Sequence, residues 1–598
     1  MNKRKILSFL CLILLFNTGI AQSEDERLIQ KLEKREYPDW FTNAKLGIFI
    51  HWGLYSVPAY GGKESYGEWF LRGLQTKDSL RTNFMKDAYG EDFTYNDFTT
   101  LFRAELFEPD EWARLFKKAG AKYVVLVSKH HDGYTLWPSK YSRNWNSVDT
   151  GPHRDIVKDL TEAVREEGLK MGLYYSLPEW NHPLHRWYSD PHDSIQDYVE
   201  NHMIPQFKEL VSTYRPTLIF SDGEWYNSAE QWHSAELINW YYDLVGSNAI
   251  VNNRWGHGID TGFLTPEYSS GITETNRPWA EVRGIGRSFG LNRNEDLEAY
   301  GTSAELIKRF VITVANGGGM ILNVGPKADG QIPLIQQERL MQLGRWLDIN
   351  GEAIYGSIPF DVQTEEVEIE KKRIDENIDF DWVRNSPDKD IREDDFSGNW
   401  KTYLVVPESG KYTLKINADD EASVSIDGKK LINKYDATEN QAEAMRTVTG
   451  NNDEFIISLM KNKVYPLVIE FNEHKQNAHF QLLWKTPMVD SFEIIPPKVF
   501  FLNKNLSESG LYASYRSKST SIAYTQKDGN VYATTFFWPE NELVLKIPNP
   551  GSNASISLLG LDRKLNWKYE NGELKINTST IKFNELPSYD AWTFKIQK

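Results

Sequence analysis

The sequence predicts an α/β protein: a (β/α)8-type barrel followed by all-β domains of the β-sandwich kind. Three observations predict it. From about residue 38 to 355, short apolar runs alternate with amphipathic stretches of helical period. After Tyr355 that period fades, and strand-length runs separated by turns such as Ser409-Gly410, Asp427-Gly428 and Asp528-Gly529 take over. The chain, at 598 residues, is too long for one hydrophobic core.

The first 21 residues fall outside the predicted fold. Lys3, Arg4 and Lys5 precede an apolar run over 6–16 that is too short to span a bilayer, and Gly19-Ile20-Ala21 ends on a small residue. This is the pattern of a signal peptide cleaved before Gln22, so an exported protein, periplasmic or secreted, is expected. The single cysteine, Cys11, lies within the apolar run and is followed by further apolar residues, a poor position for a lipoprotein cysteine. The mature chain is expected to have no disulfide and no thiolate metal site, and no later segment reads as a membrane helix.

Within the barrel region the strand-like runs are Leu46–Ile50, 123–128, 171–176, 217–221, 249–252 and 320–324. Helical patterns lie between them at Pro109–Lys118, 155–167, 198–214 and 334–347. Strand then helix, repeated over this length, means a parallel sheet; the size favours a barrel, which collects its site at the C-terminal strand ends. Further on, 369–394 is charged and poor in apolar residues and reads as a linker or long loop. The expected division is a barrel domain over 22–356, a β module over 370–502 and a C-terminal β-sandwich over 503–598.

Composition narrows the functions. A hydrophobic fraction of 40% and a charged fraction of 25% fit a soluble globular chain. The net charge of −16 argues against nucleic acid or an anionic membrane surface as partner. The 20 Trp, 30 Tyr and 29 Phe supply rings that suit the C–H faces of sugars, although most such rings fill cores.

The residues just past each apolar run carry more information. Leu46–Ile50 ends in His51-Trp52-Gly53, and 123–128 in Lys129-His130-His131-Asp132-Gly133. The run at 171–176 carries Tyr174 and leads to Glu179-Trp180; 217–221 ends in Asp222-Gly223-Glu224-Trp225; 249–252 leads to Arg254. A barrel brings these ends onto one rim, and stability alone gives no reason for polar and aromatic groups to recur there. Glycoside hydrolysis needs two carboxyl groups flanking one bond, roughly 5–5.5 Å apart in a retaining enzyme. Asp222, at the tip of Leu218-Ile219-Phe220-Ser221, is placed for such a role, or for a helix N-cap or rim salt bridge. Arg254 suits a bidentate hold on a carboxylate or ring substituent, or a rim ion pair.

Several motifs in order resemble the α-L-fucosidases of glycoside hydrolase family 29. They are Gly47-Ile48-Phe49-Ile50-His51-Trp52-Gly53, Gly67-Glu68-Trp69, Lys129-His130-His131-Asp132-Gly133, Leu173-Tyr174-Tyr175-Ser176 and Ser221-Asp222-Gly223. Arg283-Gly284-Ile285-Gly286-Arg287-Ser288-Phe289-Gly290, Asn316-Gly317-Gly318 and Leu322-Asn323-Val324-Gly325-Pro326 complete the set, over roughly residues 38–356. The resemblance implies hydrolysis of α-linked L-fucose from fucosylated oligosaccharides or glycoconjugates, with net retention and no metal or cofactor. It places Asp222 as nucleophile and carries over His51, Glu68, Trp69, His130, His131 and Tyr174 as sugar-binding residues. Glu267, thirteen residues after Arg254, matches the general acid of one branch of the family. Another branch uses a Glu directly after a Trp; that slot here holds Ala280 and the glutamate, Glu281, comes one residue later. Glu267 is therefore favoured, with Glu281, then Glu68 or Glu274, as alternatives. Phe289 and Phe220 are candidates for an apolar wall around the C6 methyl of fucose. A zinc site at His130-His131 is disfavoured, because adjacent histidines rarely ligate one ion and no carboxylate or cysteine sits at metal spacing.

In the tail, Gly410-Lys411-Tyr412-Thr413-Leu414, Ala418-Asp419-Asp420-Glu421 and Ser425-Ile426-Asp427-Gly428-Lys429 resemble the protective-antigen type of β module often spliced into sugar-active enzymes. Asp419-Asp420 reads as a solvated turn, or as a Ca²⁺ and sugar site as in some relatives of that module. The last hundred or so residues, ending in Asp590-Ala591-Trp592-Thr593-Phe594, resemble the β-sandwich that follows the fucosidase barrel. The rival reading is a secreted fucose-binding protein with little or no turnover, supported by the displaced glutamate at 280/281; a hydrolase for another sugar, such as galactose, is a third.

Overall fold

The computed structural model describes residues 24–597 apart from 64, 186–194, 270–275, 384–385, 393, 435–452 and 475–477. The expected signal peptide over 1–21, and Glu274 among the candidate acids, lie outside the described residues.

Among the described residues, seven parallel strands form the first sheet: β1 Leu46–Ile50, β2 Tyr123–Lys129, β3 Lys170–Ser176, β4 Leu218–Asp222, β5 Ile250–Val251, β6 Ala280–Gly284 and β7 Gly319–Val324. Their lateral order is β5-β4-β3-β2-β1-β7-β6, so consecutive strands are neighbours except β5 and β6, and β7 joins β1. The gap between β5 and β6 is filled by residues 263–268. Phe263 N donates to Val251 O on one side, while Ala280 N and Val282 N donate to Leu264 O and Pro266 O on the other. Parallel bridges pair Asn252 with Phe263, Leu264 with Trp279 and Glu267 with Val282. The ring thus closes through an irregular eighth wall, and Glu267 sits on it.

Strand alternation sorts the apolar residues into two cores. Phe49, Tyr123, Val125, Tyr174, Phe220, Ile250, Val282 and Ile321 point into the barrel, where Phe263 and Phe289 join them. Ile48, Ile50, Val124, Leu126, Leu173, Ile219 and Leu322 point outward against the helices. Gly47 belongs to the inner layer: a Cβ there would stand 2.3 Å from the Tyr123 ring, which fills its place.

The surrounding helices carry their own signals. In α1 (Pro109–Lys118), Pro109 opens the first turn, Asp110 and Glu111 sit at the positive end of the helix dipole and Lys117 and Lys118 at the negative end; it buries Trp112, Ala113 and Phe116. The Asp155 side chain caps α2 (Ile156–Glu166). A π-helical turn, Val199–Met203, leads into α3 (Ile204–Tyr214). A Thr302–Glu305 capping box starts α4 (Ser303–Ala315), and α5 (Leu334–Asn350) closes the set.

The rest of the chain is antiparallel β structure. The stretch expected as a linker or long loop over 369–394 instead carries strand at 369–375 and Asp379–Val383. Ile358–Asp375 pairs along its length with Leu511–Lys527, and Asp379–Val383 pairs with Ala478–Lys485. Its charges point to solvent and meet partners across the ladder, as where Glu370 accepts from Arg516 at 2.7 Å. Leu511–Lys527 is shared: its first half pairs with Phe396–Val405 and its second with Asn530–Thr535, so one sheet of ten strands runs through both β regions. Asp419-Asp420 is not a solvated turn either. Asp420 is 9% exposed and accepts from His474 N, and Asp419 accepts from His479 N. The C-terminal strands dock on the barrel through Ala523 and Ala591, whose carbonyl accepts from the Trp346 indole at 3.0 Å.

Candidate active site

Asp222 ends β4 two residues beyond Phe220, so both face inward, with the carboxylate at the rim and the ring a layer deeper. Ser221 faces the other way. Its backbone N–H and hydroxyl both reach Asn252 Oδ1 at 2.9 Å, and its hydroxyl also reaches the carbonyl of Arg254. That tie fixes Arg254, just past the two-residue β5, beside the tip of β4.

The Arg254 guanidinium spans the site. One terminal nitrogen donates to Asp222 Oδ1 at 3.0 Å and the other to Glu267 Oε1 at 2.6 Å; Nε donates to Thr265 Oγ1 at 3.1 Å. Beneath it lies the Phe220 ring, 5.3 Å away. Burial works against this cation, but Glu267 and Asp222 outweigh it and hold the guanidinium charged. The second oxygen of Asp222 accepts from the Tyr174 hydroxyl at 2.8 Å and lies 3.5 Å from His131 Nε2. Burial alone would raise the Asp222 pKa; Arg254, His131 and Tyr174 overcome it and hold the carboxyl far below the usual carboxylate range. Glu267 Oε2 accepts from the Tyr66 hydroxyl at 3.3 Å. The Glu267 side chain is 30% exposed against 13% for Asp222.

Around this pair the other expected residues assemble. The Tyr174 ring lies parallel to His130 and nearly parallel to Phe220. His51 stacks on Phe289 with centroids 5.0 Å apart. Its tautomer is set by its partner. Asn323, in β7, donates through Nδ2 to the Phe289 carbonyl at 2.6 Å, so its Oδ1 faces His51 Nδ1, also at 2.6 Å. Nδ1 must carry the proton, which leaves Nε2 as an acceptor for a sugar hydroxyl. By the same logic Ser176 donates to the Pro178 carbonyl and accepts from His131 Nδ1, both at 2.6 Å. Burial pushes His51 down to about 4 and His130 well below its ordinary value, so both rings are neutral at working pH.

Glu68, on the short 3-10 turn Gly67–Trp69, is 2% exposed and accepts from Gly290 N at 2.7 Å. Burial raises it to about 8, so at neutral pH it is largely a neutral acid able to donate as well as accept. Trp69 joins Trp180 and Trp225 in an aromatic wall beside His131. Phe289 reaches the site edge against Tyr66 and Tyr268, whereas Phe220, 1% exposed, forms its floor.

Glu281 is the residue the geometry separates from the rest. Its β6 neighbours Ala280 and Val282 belong to the inner barrel layer, and Glu281 faces the opposite way. It is fully buried, accepts from Thr313 of α4 at 3.0 Å and pairs with Arg283 and Arg309. The sequence reading missed Tyr66, Ser176, Asn323 and Glu224. The first three act as hydrogen-bond partners of site residues, which leaves no periodic trace. Glu224 had a signal, two residues after Asp222; burial and the Asp222 charge raise it to about 7.

Comparison with known proteins bears on this arrangement. The Alpha-L-fucosidase family model matches residues 13–352, the PA14 domain 357–497 and the Alpha-L-fucosidase C-terminal domain 516–597. Over 341 residues the chain is 43% identical to the tissue alpha-L-fucosidase of Bos taurus, covering 56% of this chain and 72% of that one. It is 42% identical to the alpha-L-fucosidase of Dictyostelium discoideum over 343 residues, 56% and 74% of the two chains. Among solved structures, the Thermotoga maritima alpha-fucosidase in complex with a mechanism-based inhibitor superposes with a TM-score of 0.62 at 26% identity, over 95% of this chain and 99% of that one.

Proposed function

The chain belongs to the α-L-fucosidase family of glycoside hydrolases, and from that premise we propose a retaining exo-acting mechanism with Asp222 as nucleophile and Glu267 as general acid and base. The observation that carries it is Arg254, whose two terminal nitrogens bond Asp222 Oδ1 and Glu267 Oε1 at once. Asp222, held ionised, attacks C1 of a terminal α-L-fucoside. Glu267 keeps Oε1 on Arg254 and carries its proton on Oε2, which passes to the glycosidic oxygen as the C1–O bond breaks. The product is a β-fucosyl ester of Asp222. Forming it removes the Asp222 charge, and Glu267, now a carboxylate, takes a proton from water as that water attacks C1. Free fucose of α configuration leaves, and both carboxyl groups return to their starting states.

The pocket's chemistry suits fucose. Neutral His51 and His130, the carboxyl of Glu68 and the partners of Tyr174 offer the mixed donors and acceptors that three hydroxyls need. Phe289 supplies an apolar edge for the C6 methyl. The fucose-binding alternative rested on the displaced glutamate at 280/281; because Glu281 faces away from the pocket, that displacement leaves the two carboxylates intact. The leading segment over 1–21 supports export, and fucosylated glycans outside the cytoplasm as substrates. The test is the anomer released first from an aryl α-L-fucoside, followed by proton NMR. Retention gives α-L-fucose before mutarotation; β-L-fucose first would overturn the mechanism, and fucose binding without turnover would favour a lectin.

A further inference from the structure

After β3 the chain folds over a second buried polar cluster that the fucosidase reaction does not use. Glu179, His182 and His202 each bring one ligand atom within 4.8 Å of the others. Glu179 and His202 are buried and His182 half-buried. The His182 and His202 rings are 4.1 Å apart at their centroids, and His202 Nε2 lies 2.7 Å from Glu179 Oε1. His202 stands in the π-helical turn Val199–Met203, a widening of the backbone that recurs at functional sites. A third histidine packs beside the cluster. His185 is 4% exposed. Its ring packs on Tyr198 at 5.0 Å, and His182 lies against that same ring at 5.1 Å.

We propose that Glu179, His182 and His202 hold a zinc ion, with His185 packed beside the site. Imidazole and carboxylate donors suit zinc, whereas calcium and magnesium take all-oxygen shells. Lys129 Nζ lies 2.7 Å from Glu179 Oε1 and 3.0 Å from Gln206 Oε1. It acts as an outer partner that keeps the carboxylate charged and oriented. The competing account is a hydrogen-bonded network of Lys129, Glu179, His202 and Gln206 alone; it does not draw in His182, whose Nδ1 accepts from Leu184 N at 3.2 Å. The ion would be structural. It would pin the loop that carries Trp180, whose backbone N–H donates to the His131 carbonyl and whose ring lies 4.7 Å from the His131 ring. Zinc would thereby stiffen one wall of the sugar pocket without touching the reacting atoms.

The test uses the untagged full-length protein. Elemental analysis is expected to find close to one zinc per chain, removed by a chelator and restored by added zinc, with a Tm that rises on restoration. Cobalt(II) put in place of zinc should show the strong visible absorption of a low-coordinate site. His182→Gln and His202→Gln should each lose the metal. If either variant fails to fold, the cobalt spectrum and metal content of the wild type decide. Wild-type protein that takes up no zinc at micromolar concentration, or folded His182→Gln that keeps it, would overturn the proposal. The readout is metal content, so its failure leaves the fucosidase assignment untouched.

Discussion

Replacing Arg254 with methionine removes the guanidinium that ties Asp222 to Glu267 while keeping much of the stem over Phe220. The contact to Asp222 is 3.0 Å, and the two side chains are 16% and 13% exposed, so their attraction is screened far less than in water. At an effective dielectric constant of about 20, unit charges about 4 Å apart attract by about 4 kcal/mol. At 1.36 kcal/mol per pKa unit this corresponds to an upward move of about three units for Asp222. The sign is set by the environment. With Arg254 present, the upward push of burial is outweighed; without it, burial is opposed only by His131 and the Tyr174 hydroxyl. Attack needs the carboxylate, so activity governed by Asp222 is lost as pH falls through its folded pKa. In the wild type that fall lies deep in acid; in Arg254→Met it should move up by about three units, toward the ordinary aspartate value near about 3.9. The assay is kcat/KM against pH with 2,4-dinitrophenyl α-L-fucoside, whose leaving group departs without protonation and so isolates the nucleophile. Circular dichroism at each pH checks that the variant is folded. An acid limb that coincides with the wild type's would refute the reasoning.

Asp222→Ala should abolish turnover with the fold intact, and azide should partly restore it by forming β-fucosyl azide; wild-type activity in this variant sinks the nucleophile assignment. Glu267→Ala should hydrolyse fucosyl-oligosaccharides very slowly yet keep much faster first-step rates with acidic phenols, whereas Glu281→Ala should show no such leaving-group dependence and lose stability by about 3–5 kcal/mol, because Arg283 and Arg309 lose a buried partner. The reverse pattern in steady-state kinetics and thermal melts would exchange the two roles. L-fucosides should be preferred over L-galactosides by about tenfold or more, since an extra C6 hydroxyl against Phe289 goes unpaired at about 1–3 kcal/mol; equal specificity constants would show the wall misplaced. Asn323→Leu strands the His51 N–H and should weaken fucose inhibition by a comparable 1–3 kcal/mol, or about five- to hundredfold, with Asn323→Asp losing less; an unchanged inhibition constant would remove Asn323 from the site.

The sequence was legible where burial imposes a period. Strand runs near β1 to β4 and β7 stand out because both their faces are covered, and the polar groups after them mark the rim by their recurrence. The barrel's closing wall was not legible. The run at 249–252 marks β5 although only two of its residues pair as strand, but 263–268 pairs through single bridges and leaves no apolar run of strand length. Glu267 was found by motif and not by pattern for that reason. The misread stretch at 369–394 fails differently: Glu370, Lys371, Lys372 and Arg373 look like solvated linker, yet they form a strand whose partner lies about 140 residues later. Charge on an exposed strand face is cheap when the opposite side of the ladder answers it, and no local window sees that partner. His51 and His131 could be named from their strand-end positions, but their tautomers depend on Asn323 and Ser176, which only the folded chain brings to them.

Because Leu511–Lys527 belongs to two β regions at once, the region between the barrel and the C-terminal strands is not a bead on a string. A protease cut or genetic excision around 357–497 would strip hydrogen-bonding partners from both edges of that strand's first half and leave a raw, aggregation-prone edge. The two β regions share a girder, so they should melt together in one transition, and a lesion at Ser517, which pairs on both edges, would be felt on either side of it. Evolutionarily the same girder constrains tinkering. Loops at the module's far end are free to lengthen, whereas its root on the shared strand must stay in register.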